Sequence, residues 1–210
     1  MRRNPLHTTP ASAATRARVG KSHYRRMRGF TLLELMIAVV ILVILLAIAV
    51  PSFQSLMASN RLTGVTNEFI AALNTARAEA IRRGQRVTLC TSSSGTACTA
   101  TDWTQGWILF NDSTSDPTKD AAFDGSPETI IRTGGPAASG ISITGNSNVD
   151  RYISYTADGT AKLTTNAFQA GTIRVVINSA ALTQNVNCIV LSSGGRIRVN
   201  QPATHDGVCS

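Results

Sequence analysis

Residues that usually carry enzyme chemistry are scarce in this 210-residue sequence. It contains three histidines, and only His205 follows the first 29 residues. Aromatic residues make up 5% of the chain, and zinc-protease, serine-hydrolase and phosphate-loop motifs do not occur. The sequence therefore argues against an enzyme, and it predicts no cofactor.

Acidic residues do not occur in the first 29 residues, which instead contain eight basic ones: Arg2, Arg3, Arg16, Arg18, Lys21, Arg25, Arg26 and Arg28. Beyond them, twelve basic side chains balance twelve acidic ones, so the formal net charge of +8 lies entirely before residue 30. A high net charge often indicates binding to polyanions. Here the charge distribution excludes that argument for the whole protein, and any nucleic-acid surface must be a local patch.

An EF-hand loop is also missing. Four aspartates lie in the polar segment 111–127: Asp112, Asp116, Asp120 and Asp124. Their spacing does not match the ligand positions of an EF-hand. We interpret the segment as a solvated loop and predict no metal site.

All four cysteines follow residue 50, and no C-x-x-C pair occurs among them, so their spacing does not indicate zinc. In an exported domain, an even number of cysteines favours disulfides, and four cysteines allow three pairings. Proximity in the sequence favours Cys90–Cys98 and Cys188–Cys209. Free buried thiols are the alternative.

Residues 30–50 form a long apolar segment, FTLLELMIAVVILVILLAIAV, interrupted only by Thr31 and Glu34. As a helix it would be about 31 Å long, the thickness of a bilayer core. The basic flank before it predicts a cytoplasmic N-terminus and a periplasmic C-terminal domain. A secretory signal peptide is the alternative, but this run is long for a signal core and contains a charged residue.

After residue 50, the sequence changes once from a helical pattern to a β-strand pattern. Residues 51–84 keep apolar side chains at three- and four-residue spacing, which predicts an amphipathic helix that ends at Gly84. Residues 85–210 contain short β-type runs separated by Gly, Asn, Asp and Ser clusters. We therefore predict an α+β fold, with a long N-terminal helix packed on a C-terminal antiparallel β domain.

The string RGFTLLELMIAVVILVILLAIAVP resembles the N-terminus of type IV prepilins. This resemblance implies that residues 1–29 are a leader, that a prepilin peptidase cuts after Gly29, and that the new N-terminal residue, Phe30, is methylated. It also implies that Glu34 pairs with the Phe30 amine of a neighbouring subunit in the inner membrane. Because the leader is long for this family, Met27 is an alternative start.

The rest of the chain resembles the GspH/FimT group of minor pilins and pseudopilins. The helix end ARAEAIRRG (76–84), the strand VTLC (87–90) and the stretch WTQGWILFND (103–112) carry this resemblance. It implies a type IV pilin-like fold, in which β-sheets top the helix. It also implies a place at or near the tip of a filament built from other pilins or pseudopilins.

The segment GGRIRVN, near the C-terminus, predicts a strand that follows a tight turn. Because strand side chains alternate between faces, Arg196, Arg198 and Asn200 would share one face. Ile197 and Val199 would point to the core. Two arginines about 7 Å apart match successive phosphates along a nucleic-acid strand.

The letters GRIR in this segment also resemble the G-R-x-R motif of FimT proteins, which bind DNA during natural transformation. The resemblance implies DNA as a partner, with Arg196 and Arg198 as its site. Arg174 and Lys162 are further candidates whose position the sequence does not give. The alternatives are an ordinary solvated strand face and arginines that pair with Asp206.

A second group of arginines surrounds the predicted end of the helix: Arg77, Arg82, Arg83 and Arg86. Positive charge near a helix C-terminus is stabilising. We interpret this group as helix-end charge on a solvated face, or as a contact between subunits.

Two functions are compatible with these features. The first is a minor pilin of a type IV pilus that takes part in pilus assembly and in DNA uptake. The second is a pseudopilin of a type II secretion filament with a structural role alone. The GRIR strand favours the first function.

Overall fold

The protein is described by a computed structural model, which covers residues 29–99, 101–112, 121–179, 185–202 and 209. Within these residues one helix precedes eight strands: α1 (Leu32–Arg83), β1 (Arg86–Thr91), β2 (Trp107–Asp112), β3 (Ile130–Gly134), β4 (Ile141–Gly145), β5 (Tyr152–Tyr155), β6 (Gly171–Ile177), β7 (Val186–Leu191) and β8 (Ile197–Asn200). A single 3₁₀ turn, Trp103–Gln105, precedes β2.

The chain divides into two compact units, Met1–Val43 and Ile44–Ser210. In the first unit, the Thr31 hydroxyl accepts a hydrogen bond from the N–H of Glu34 at 3.1 Å and so caps the start of α1. The helix is long and apolar enough to cross a membrane, and its most apolar stretch contains no buried side chain. This agrees with the apolar segment predicted from the sequence.

In the second unit, α1 ends where the sequence predicts. Gly84 has a φ of +64°, and the N–H of Gln85 donates to the carbonyl oxygen of Ala80 at 3.3 Å. This is the Schellman arrangement, in which a glycine in the left-handed region closes the last helical turn. The chain then enters β1 after only two residues.

The strands form two antiparallel four-stranded sheets. Sheet 1 has the order β3-β2-β1-β5, and sheet 2 has the order β4-β6-β7-β8. β8, which contains Arg198 and directly follows Arg196, is therefore an edge strand that pairs with β7 alone among the described strands.

The core of this unit joins one face of α1 to both sheets. The helical side chains buried in it are Ala58, Leu62, Phe69, Ala72, Leu73, Ala76 and Ala80. Phe69 packs edge-on against Trp103 with ring centroids 5.1 Å apart, and the Trp103 indole donates to the Val149 carbonyl at 2.8 Å. The predicted fold, a long helix packed on antiparallel sheets, is confirmed.

Two disulfides tie loop segments to the sheets. Cys90 in β1 is joined to Cys98, eight residues later, and Cys188 in β7 is joined to Cys209, 21 residues later. These are the pairs that proximity in the sequence favours, and all four cysteines are used.

Candidate nucleic-acid interface

The turn between β7 and β8 fixes where the first arginine of the predicted site lies. We call Ser192–Arg196 the hairpin turn. The Ser192 N–H donates to the Arg196 carbonyl at 2.9 Å, and the Gly195 N–H donates to the Ser192 carbonyl at 2.9 Å. The Ser192 hydroxyl also accepts from the Arg196 N–H at 3.2 Å. These bonds close the turn and lead the chain directly into β8.

Only one of the two glycines in this turn is required by its geometry. Gly195 is buried and has a φ of +73°, in the left-handed region that three-residue hairpin loops use at this position. A Cβ atom there would overlap the carbonyl oxygen of Gly159 and press on the ring of Tyr155. At Gly194 a Cβ atom would meet nothing within 4 Å.

Arg196, Arg198 and Asn200 are all exposed, as the alternation of the strand predicts. Within the part of the chain that the structure describes, neither guanidinium group has a hydrogen bond or an ion pair. Asp206, the alternative partner, lies outside the described residues. Among the described residues, Arg196 at the end of the hairpin turn and Arg198 on β8 thus present two exposed cations close together.

The prediction for the inward side chains of β8 is half correct. Ile197 is half-buried and packs against the core, as expected. The prediction for Val199 was wrong, because its side chain is 45% exposed. β8 is a four-residue strand with one neighbour among the described strands, so the core ends before it reaches Val199.

Sheet register brings Arg174 onto the same outer face. Arg174 of β6 lies opposite Cys188 of β7, and Cys188 lies opposite Asn200 of β8. Residues opposite each other in antiparallel strands project to the same face. Arg198 lies on β8 two residues before Asn200. With the usual spacing between strands and the usual rise per residue, its Cα is about 12 Å from that of Arg174. The side chain of Arg174 is exposed on this face, so Arg174 remains a candidate for the basic surface.

A polar pocket adjoins Arg174. It has a volume of about 280 Å³, and its lining includes Thr144, Thr172, Asn146 and Cys209. The Cys188–Cys209 disulfide holds Cys209 on this face, between the strand of Arg174 and that of Arg198. These hydroxyl and amide groups could not be predicted from the sequence, because the pairing of β4 with β6 brings Thr144 and Asn146 close to Thr172.

Lys162 lies apart from this face. It follows Ala161, whose N–H donates to the Ser193 carbonyl at 3.4 Å, so it sits beside the hairpin turn. Hydrogen bonds within the turn that contains Asp158 lower the pKa of its carboxyl, and the bond from the Thr156 hydroxyl has the largest effect. The Lys162 ammonium lowers this pKa further. A carboxylate near Lys162 thus partly compensates its charge, which makes it a weaker candidate than Arg174.

The arginines at the helix end do not form one group. Arg82 and Arg83 pair with Glu79 and lower the pKa of its carboxyl by hydrogen bonding, so they are helix-end charges as expected. Arg77 does not lie on a solvated face. Its side chain is half-buried and turns toward the β domain, where it donates to the carbonyl oxygens of Gly159 (3.0 Å) and Gly194 (3.3 Å).

The polar segment 111–127 is also less uniform than predicted. Asp112 is buried, with its Oδ2 accepting from the Thr88 hydroxyl at 3.0 Å and from the Ala121 N–H at 3.3 Å. Burial raises the pKa of this carboxyl. Asp124 is exposed, whereas residues 113–120 lie outside the described residues. Within the described residues no three His, Cys, Asp or Glu side chains form a metal-binding group.

Comparison with known proteins identifies the family. A family model described as type II transport protein GspH matches residues 65–195, and the chain belongs to this family of minor pilins and pseudopilins. A second model, the prokaryotic N-terminal methylation motif, matches residues 24–50. A fimbrial protein of Pseudomonas aeruginosa is 43% identical over 63 residues, which are 30% of this chain and 40% of that protein.

A solved structure shares the fold. The type IV minor pilin FimU of Pseudomonas aeruginosa matches with a TM-score of 0.51 at 20% identity, over 70% of this chain and 96% of that one. The minor pseudopilin EpsH, from the type 2 secretion system of Vibrio cholerae, matches with a TM-score of 0.42 at 11% identity, over 69% of this chain and 99% of that one.

Proposed function

We propose that this chain is a minor pilin of a type IV pilus that binds DNA on the outer face of sheet 2. The observation that carries the proposal is the pair Arg196 and Arg198, at the end of the hairpin turn and on the edge strand β8, both exposed and unpaired among the described residues. Arg174 and Asn200 share their face. Together these groups offer charge-assisted hydrogen bonds to phosphate oxygens.

The proposed binding is weak and independent of sequence. The surface is a strand face with arginines about 7 to 12 Å apart, a spacing that suits phosphates along a backbone. No helix is placed beside it to enter a major groove, within the residues that the structure describes. Contacts to phosphates position a protein on DNA but do not read its bases.

The proposal includes processing and anchoring at the N-terminus. A prepilin peptidase removes residues 1–29, Phe30 is methylated, and the helix from Leu32 anchors the protein in the bacterial inner membrane. The C-terminal domain is then periplasmic, and the protein is incorporated into a filament with other pilins. Glu34, in the first turn of the helix, pairs with the Phe30 amine of a neighbouring subunit.

DNA titration of the chain that begins at Phe30, in a non-ionic detergent, tests the proposed site. Removing the leader matters because its eight basic residues would bind DNA by themselves. We expect Arg196→Gln with Arg198→Gln to lose most of the binding while remaining folded. With two to four phosphate contacts, log affinity should fall with log salt at a slope of about −2 to −3.5.

A matched control removes the same charge elsewhere. Arg61 and Arg151 are exposed, on α1 and before β5, so Arg61→Gln with Arg151→Gln lowers the net charge equally. This control should bind DNA nearly as well as the original protein. A folded Arg196→Gln, Arg198→Gln protein that binds DNA as tightly as the control would show that the site is wrong.

A structural pseudopilin of a type II secretion filament is the second candidate. The observation that favours it is the description of the matching family as a type II transport protein. Deleting the gene separates the two functions. Loss of DNA uptake with secretion intact supports the pilin, and loss of secretion with normal DNA uptake supports the pseudopilin.

A further inference from the structure

Arg77 holds the hairpin turn from the side of the helix. Its Nε–H donates to the Gly159 carbonyl at 3.0 Å, and one Nη2–H donates to the Gly194 carbonyl at 3.3 Å. These acceptors lie 82 and 117 residues further along the chain. One side chain thus joins α1 to the turn that follows β5 and to the hairpin turn that precedes β8.

The turn that follows β5 provides a firm support for this arrangement. The Thr156 N–H donates to the Thr160 carbonyl at 3.0 Å, and the Asp158 carboxylate accepts from the Thr156 hydroxyl at 2.6 Å and from the Thr160 N–H at 3.0 Å. The Gly159 carbonyl then faces Gly195 so closely that no Cβ atom would fit. The hairpin turn is therefore held between this turn and Arg77.

We propose that Arg77 is a positioning residue for the DNA surface. By fixing the Gly194 carbonyl, it fixes the direction in which the chain leaves Gly195 and hence the place from which Arg196 projects. The inference rests on the proposed function, since positioning has a consequence only if Arg196 binds a ligand. Arg77 does not touch the ligand, because its guanidinium group is turned toward the two carbonyls.

An arginine is suited to this task in a way that a lysine is not. Its planar guanidinium presents several N–H donors in a fixed fork, so one side chain reaches two separate carbonyl oxygens. A lysine has the same charge, but its single ammonium group lies at the end of a flexible side chain. Arg77→Lys therefore separates the geometry of the side chain from its electrostatic contribution.

The test is DNA titration of the chain from Phe30 in non-ionic detergent, with a short duplex of mixed sequence. We expect Arg77→Gln and Arg77→Lys to weaken binding alike, by about fivefold, within the range of coupling between residues of one hydrogen-bond network. Arg82→Gln, five residues further on the same helix and exposed, is the control and should leave the affinity unchanged. Binding by Arg77→Lys equal to that of the unmodified protein would overturn the proposal.

A double-mutant cycle distinguishes positioning from general destabilisation. If Arg77 acts through Arg196, then Arg77→Gln should cause no further loss of affinity when Arg196→Gln is already present. If Arg77 affects binding independently of Arg196, the two losses should multiply, and the proposal fails. All variants are compared well below their unfolding midpoints, with circular dichroism to verify the fold.

Amide hydrogen exchange tests the turn without any DNA. In Arg77→Gln the Gly195 amide, which donates to the Ser192 carbonyl, should exchange about tenfold faster, while amides of β1 and β2 keep their rates. Unchanged exchange at Gly195 would overturn the inference. If the unmodified protein fails to bind DNA, the proposed function is wrong, and the exchange rates still decide whether Arg77 holds the turn.

Discussion

Asn187 of β7 donates from its side-chain amide to the hydroxyl of Thr66 in α1, at 3.0 Å and across 121 residues of sequence. Both side chains are buried, and the Thr66 hydroxyl in turn donates to the Leu62 carbonyl at 2.7 Å. The pair lies on the inner face of sheet 2. It ties the sheet that carries the basic surface to the helix.

Thr66→Val should destabilise the protein by about 1–3 kcal/mol, because it leaves the buried Asn187 amide without an acceptor. Thr75 offers a control on the same helix, since its hydroxyl donates to the Ala71 carbonyl and, among the described residues, accepts from no side chain. Thr75→Val should change the free energy of unfolding by about 0.5 kcal/mol or less. Denaturant unfolding measures both, and equal effects would contradict the role of the pair.

Gly195→Ala should disrupt the hairpin turn, whereas Gly194→Ala should be tolerated. At Gly195 the substitution combines a φ of +73° with overlap on the Gly159 carbonyl, so we expect a loss of more than about 2 kcal/mol. At Gly194 a methyl group meets open space, and the change should stay within about 0.5 kcal/mol. Thermal unfolding of the two variants checks this, and similar stabilities would refute the difference between the glycines.

Asp112 should make stability depend on pH in a defined direction. Burial raises the pKa of its carboxyl above the ordinary value of 3.8, while a hydrogen bond from Thr88 opposes part of the shift. Among the described residues, the charges of Arg86 and Glu128 also act on this carboxyl. The folded protein therefore holds this proton more tightly than the unfolded chain. The contribution of Asp112 to stability is greatest at low pH and falls as pH rises through the raised pKa.

Asp112→Asn removes this titration, so the stability of the original protein relative to the variant should decrease from about pH 4 to pH 7. Asp124→Asn is the matched control, because it removes an exposed carboxyl from the same polar segment. Denaturant unfolding over this pH range provides the measurement. A constant or increasing relative stability would show that the Asp112 pKa is not raised.

Mass spectrometry of the membrane-extracted protein should find N-methyl-Phe30 as its first residue. An intact N-terminus, or cleavage within residues 47–50, would indicate an uncleaved protein or a secretory signal instead. Glu34→Gln should leave the protein inserted but impair assembly or methylation. Thr31→Ala removes the hydroxyl that caps the helix but keeps the Glu34 carboxylate. It therefore shows how much of the impairment results from loss of the helix cap.

Local patterns in the sequence predicted much of this molecule. The apolar run predicted the helix, Gly84 its end, and alternation in GRIRV the exposure of Arg196 and Arg198. These predictions depend on neighbours within a few residues, where helix and strand periodicity decide which side chain points outward. The two disulfide pairs followed from proximity because each closes a short loop.

Other properties depended on residues far apart in the chain. Val199 is exposed because β8 is at the edge of sheet 2, and Arg174 joins the basic surface because β7 sets the register between β6 and β8. Asp112 is buried although it lies in a polar segment, since side chains and backbone from other strands and loops surround it. No local pattern contains this information.

The sequence by itself determined the class of protein, through the methylation motif and the GspH-type helix end, and it determined that Arg196 and Arg198 are exposed. The tertiary structure alone decided that Arg77 turns inward to the carbonyls of Gly159 and Gly194. A helix pattern shows that Arg77 is polar, but the direction of its side chain depends on acceptors 82 and 117 residues away. Only packing of the helix against two separate turns brings those acceptors within hydrogen-bond distance.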